Sequence, residues 1–146
     1  MRSPAALFLA LVFSGCGGSR ATSSASASAS AAAAVAHNPA SASDGAVVYI
    51  NNCSSCHQPD GTGIPGAFPP LAANAAVTGS PVAAIAIVKD GLEGRIVVDG
   101  HVYSGIMPRW NGVLTDEQIA DVLTYIRSSW KNRASAVSIS DVEAVK

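Results

Sequence analysis

Aromatic residues are scarce in this 146-residue chain, at 5% of positions. Charged residues are scarce too, at 13%, and nearly balanced, with nine Lys+Arg against ten Asp+Glu. That balance excludes binding to nucleic acid through a basic patch, and equally excludes disorder driven by charge. No apolar run reaches the roughly 20 residues of a membrane-spanning helix. Three cysteines are too few for a disulfide framework, and the length excludes a large multidomain enzyme. The apolar content of 49% overstates the core, because 27 residues are alanine.

What is present divides the chain. Arg2 followed by an apolar stretch over 5–13 reads as an export signal, too short to span a bilayer. Phe13-Ser14-Gly15-Cys16 resembles a bacterial lipobox, with Phe13 where leucine is commonest, so residues 1–15 are expected to be a lipoprotein-type signal peptide and Cys16 a lipidated N-terminus. The alternative is an ordinary signal with an incidental Cys16. Residues 16–43 form a tether: positions 20–43 hold 11 Ala and 7 Ser, with no large side chains to repay ordering. A flexible chain of this length spans about 30 Å. The folded domain is expected over 44–133, and residues 134–146, lacking turn signals and periodicity, as a loose tail.

Three helices are legible. Ser43 or Asp44 caps a first that runs toward Cys53. Ser80-Pro81 opens a second, which Gly91 ends. Thr115 caps the third, with Gln118 completing a capping box. Ile119, Val122, Leu123, Ile126 and Trp130 then fall on one helical stripe. Ile96–Val98 and His101–Tyr103 flank Asp99-Gly100, a small hairpin signal.

The chemistry lies in Cys53-Ser54-Ser55-Cys56-His57. C-x-x-C-H is the attachment signature of c-type haem. Cysteines three apart on a helical turn point the same way, so each thiol can add across one haem vinyl group, with the next residue, His57, facing the iron. The rival readings are a thioredoxin-type dithiol, which lacks its strand-to-helix context, a zinc site, which lacks its fourth ligand, and a Cys53–Cys56 disulfide. For the second axial position the candidates are Met107 and His101. Met107 is the only methionine besides Met1, and Pro108 stiffens its loop. His101 sits beside the hairpin turn. Met107 as gap-filling core is the alternative role, and Met107 is favoured as the ligand. His37, in the tether, is expected to be inert.

Residues 44–131 resemble the class I monohaem cytochromes c. Gly45 and Tyr49 stand at the family's small and aromatic positions on the first helix, and Val122 and Tyr125 match the pair on the last. The resemblance is strongest to the subgroup with G-x-P-G-x-F-P-P-L and M-P-x-W, here Gly63–Leu71 and Met107–Trp110. It implies an all-α fold, about three main helices around one covalent haem c, with the hairpin as an insertion. It implies packing of the first helix on the third, a Pro69 carbonyl accepting from the axial histidine, and Leu71 beside the haem. Ala73 stands where the family often has glycine. Trp110 is a candidate for a haem propionate or for core packing, and Arg109 for neutralising a propionate or for plain exposure.

The function expected is that of a periplasmic one-electron carrier rather than an enzyme, held by lipid on the outer face of a bacterial membrane. Its partners would be a dehydrogenase, a quinol-oxidising complex or a terminal oxidase. The alternatives are a fixed haem subunit of such a complex, or a peroxidase-like or gas-binding haem with an open sixth position.

Overall fold

The computed structural model describes residues 40–146. The expected signal peptide, Cys16, His37 and nearly all of the tether lie outside the described residues. Among the described residues the fold is helical, with three long helices, three short ones and one two-stranded sheet.

Helix α1 spans Ala42–Asn52. Its cap is Ser41, not Ser43 or Asp44: the Ser41 hydroxyl accepts from the Asp44 amide at 3.3 Å. Asp44 thereby falls in the first turn, where its charge complements the helix dipole. Helix α1 buries Gly45, Val48 and Tyr49. Helix α2, Ser54–His57, follows at once. Helix α3 spans Ala75–Thr78, capped by Asn74.

Helix α4 runs Pro81–Asp90, with proline in its first turn. Ser80 stands at the cap position, but its hydroxyl makes no capping bond. Gly91 ends the helix at φ +80°, a conformation glycine adopts without steric cost. Strands β1 (Ile96–Val98) and β2 (His101–Tyr103) pair antiparallel, Val97 opposite Val102. Asp99 and Gly100 both have positive φ, as a two-residue hairpin turn matched to strand twist requires.

Helix α5 spans Asp116–Ser128 behind the full Thr115–Gln118 capping box. It buries Ile119, Val122, Leu123 and Ile126. The stripe does not continue to Trp130 as helix. Trp130 and Lys131 have φ of 49° and 71°, so the chain doubles back. The indole then lies 5.0 Å from the Tyr49 ring and 5.6 Å from Tyr125. Helices α1 and α5 cross at Gly45, where a Cβ would collide with the Asp121 carbonyl and approach Tyr125 Cβ to 2.9 Å.

The segment after residue 133 is not a loose tail. It carries helix α6, Ile139–Ala144, with its own capping box from Ser138 and Asp141. Val137 and Val142 are fully buried in one core cluster with Ile85, Val88, Ile119 and Leu123. Arg127, also buried, donates to the Ser135 carbonyl at 2.8 Å and to Gly79 at 3.0 Å. The Thr124 hydroxyl accepts from Val137 N at 3.0 Å. Two valines and a set of polar contacts made in trans thus hold a stretch with no periodicity of its own. The folded unit therefore begins by Ser41 and includes this segment, where 44–133 was expected.

Candidate functional site

A cavity of about 380 Å³ is bordered by α1–α2, α4, the hairpin, the Met107 loop and α5. Cys53, Cys56 and His57 all line it. Their placement is local in origin. The Cys53 carbonyl, at the end of α1, accepts from His57 N at 2.9 Å and Cys56 N at 3.2 Å. One tight turn therefore gathers two thiols and an imidazole. The thiols are unpaired. Burial pushes the Cys53 thiol up to about 11, with Cys56 adding to the shift. A thiol this reluctant to ionise is unsuited to the dithiol exchange of a thioredoxin-type motif.

His57 is buried, and its Nδ1 lies 3.0 Å from the carbonyl of Pro69, not of Pro70. A carbonyl only accepts, so Nδ1 carries the proton and Nε2 keeps its lone pair. Burial pulls the imidazole below its ordinary pKa, against the opposing pull of the Pro69 carbonyl. The ring is thus held neutral and in the tautomer that leaves Nε2 free to ligate, the usual outer-shell arrangement of a metal-bound histidine.

The loop after His57 is closed by the Gly61 carbonyl, which accepts from Leu71 N at 2.8 Å and Ala72 N at 3.0 Å. Gly63 permits that closure: a Cβ there would come within 2.6 Å of the Pro69 carbonyl oxygen. Leu71 lines the cavity. Ala73 takes the left-handed conformation that glycine would favour, with φ +54°.

What holds it there is Asn132, which sequence reasoning missed. Its buried amide accepts from Ala73 N at 2.9 Å and donates to the carbonyls of Leu71 (2.9 Å) and Ile126 (2.8 Å). An asparagine just past a helix reads as an ordinary turn residue, so no local signal separates this one.

Met107 and Trp110 border the cavity, each half-buried. His101 is exposed and lies outside the lining, as does Arg109. Met107 is pinned by two backbone bonds to Leu92, each 2.9 Å. The remaining lining is largely aliphatic, from Ile87 and Val88 to Val122 and Ile126. Two thiols, one neutral imidazole and one thioether around an apolar cavity are the donor set and the surface that a covalent haem requires.

Residues 42–130 match the family model described as Cytochrome c. The chain is 44% identical over 92 residues to "Cytochrome c-552" of Thermus thermophilus, covering 60% of this chain and 69% of that protein. It is 38% identical over 105 residues to "Alcohol dehydrogenase (quinone), cytochrome c subunit" of Gluconobacter oxydans, covering 70% of this chain but 22% of that one. Over 92 residues it is 32% identical to "Cbb3-type cytochrome c oxidase subunit CcoP" of Cereibacter sphaeroides, covering 62% of this chain and 28% of the subunit. The chain thus spans about a quarter of these larger relatives.

Proposed function

The chain belongs to the cytochrome c family, as a class I monohaem member with one covalent haem c, and from that premise we propose a periplasmic one-electron carrier whose iron is held between His57 and Met107. The haem, when bound, supplies a single iron that exchanges one electron at a time. The residues do the rest. Cys53 and Cys56 would hold the group by thioether bonds. Pro69 keeps the His57 proton on Nδ1, which leaves Nε2 free to ligate the metal. Met107 would supply a thioether, a ligand that favours the ferrous state and raises the reduction potential. Ile87, Val88, Val122 and Ile126 would exclude water from the group.

One observation carries this reading: Met107 and the Cys53–His57 turn border the same apolar cavity, whereas His101 stays outside it. With His57 and Met107 both ligating, the iron would be closed to substrate, which suits electron transfer rather than catalysis. The Ala/Ser-rich tether over 16–43 and a lipid on Cys16 would let the domain move along one membrane face. Among the described residues no helix is long and apolar enough to cross a membrane. The relatives named as dehydrogenase and oxidase subunits favour partners of those two kinds, and they give weight to a second reading as a fixed subunit of such a complex. Retention of the protein in a stoichiometric complex through purification would favour the fixed subunit.

Carbon monoxide tests the closed iron. The unmutated ferrous protein should exclude it. Met107→Ala should admit it while the haem stays attached, and should lower the reduction potential. His101→Ala should do neither. Ready binding by the unmutated protein would favour the gas-binding or peroxidase-like alternative.

A further inference from the structure

The strap formed by residues 134–146 does not line the cavity. It is nevertheless fastened to α4, whose last turn meets the Met107 loop, and Lys89 supplies the side-chain hydrogen bonds of that fastening. Lys89, in the last turn of α4 and 9% exposed, donates from Nζ to the Val142 carbonyl at 3.1 Å and to the Val145 carbonyl. These oxygens lie at the C-terminal end of α6, where a helix has unsatisfied carbonyls and favours a cation. Lysine is among the residues least often buried, and its burial is tolerated only with good partners.

The main chain of that same turn of α4 faces the Met107 loop. The Val88 carbonyl accepts from Trp110 N at 3.0 Å, and the Lys89 carbonyl from Asn111 N at 3.1 Å. Two residues past Asp90, Leu92 exchanges both backbone bonds with Met107. Gly91 lies between these fastenings, its α-carbon so close to the loop that a Cβ would come within 2.7 Å of the Met107 carbonyl oxygen and 2.9 Å of Arg109 N. Met107, Trp110 and Val145 also pack against one core cluster, which includes Val88, Val137 and Val142. The side chain of Lys89 thus holds the strap while its main chain holds the methionine loop.

We propose that Lys89 is a positioning residue: clasped by the end of α6, it makes the C-terminal strap set how firmly the Met107 sulfur is kept on the iron. The inference rests on the reading of Met107 as axial ligand. Lys89→Met keeps the aliphatic stem and removes the donors. In the full-length haem-loaded protein it should weaken the thioether-to-ferric-iron absorption band. It should also speed carbon monoxide binding to the ferrous form by about tenfold, the order expected for one net hydrogen bond to a charged group. Lys89→Arg, which keeps a donating cation, should restore much of the band.

Val142→Ala loosens the strap from its own side and should act in the same direction, so the test survives if Lys89→Met does not fold. Variants that lose resistance to denaturant yet keep the wild-type band and carbon monoxide rate would overturn the proposal. If Met107 is not the ligand, the unmutated protein shows no thioether band and Met107→Ala changes nothing. That outcome also sinks the inference, and it identifies the premise as the cause.

Discussion

At the scale of single residues, the site separates attachment from tuning. Cys53 and Cys56 present thiols from one turn, held by the Cys53 carbonyl and by Cys53 N donating to the Tyr49 carbonyl at 2.8 Å. Attachment through both should survive acid–acetone extraction, with the added mass remaining on the polypeptide. A haem that leaves under that treatment would refute thioether bonds. Replacing both cysteines with alanine should leave little folded domain, because the aliphatic side chains around the cavity would lose the surface they pack on. His57 and Met107 differ in how they are held. His57 is fixed by one hydrogen bond to Pro69 and by burial. Met107 is held by main-chain pairing to Leu92, which does not depend on its side chain. On the proposed ligation, position 107 is the natural place to alter ligand chemistry.

At the scale of elements, the contact between α1 and α5 has the least tolerance. Gly45 meets the backbone of Asp121, which has no flexible end to yield. Asp121 also ties the start of α1, its carboxylate accepting from Ser41 N at 2.5 Å. Gly45→Ala forces the helices apart and separates Tyr49 from Tyr125, whose rings are 5.4 Å apart. The cost should be about 1–3 kcal/mol, the range of core overpacking, despite the gain in helix propensity from alanine. Chemical denaturation of the haem-loaded variant checks it; an unchanged midpoint would mean that the crossing can relax. The α5 stripe from Ile119 to Ile126, both caps of α5's box and the hairpin turn were legible in the sequence because each depends on neighbours within four residues. Trp130 was misassigned to the α5 stripe because its spacing fits a helix, while the left-handed residues that end the helix are an asparagine-anchored turn fixed by Leu71 and Ala73.

At the scale of the whole molecule, a covalent haem explains how a domain so poor in aromatics sustains a core. The six aromatics after the expected signal segment are concentrated: Tyr49, Tyr125 and Trp130 pack together, and Phe68, Tyr103 and Trp110 border the cavity. The aliphatic residues of three helices meet the remaining cavity wall. Localisation is a separate proposal, resting on the sequence of the first sixteen residues. A lipid on Cys16 should be seen as incorporation of a clickable fatty acid, and Cys16→Ala should move the protein from the membrane to the soluble fraction. A wild-type protein that is already soluble and unlabelled would replace the lipobox with a simple secretory signal.

The sequence by itself determined the attachment turn, the capping box of α5, the hairpin and the two candidates for the second ligand, since capping, turn and C-x-x-C-H chemistry act within one or two turns of chain. Tertiary structure alone decided that Met107 borders the cavity and His101 does not, while it placed the Pro69 carbonyl on His57 as the resemblance implied. It alone turned the final segment into a strap, through Val137, Val142 and the buried ammonium of Lys89. It alone made Asn132 the staple of a loop some sixty residues away. Each of these rests on satisfying a buried polar group or filling a core from a distant part of the chain. Local pattern carries no record of such a pairing, because the residue types involved are equally at home in solvent-facing turns.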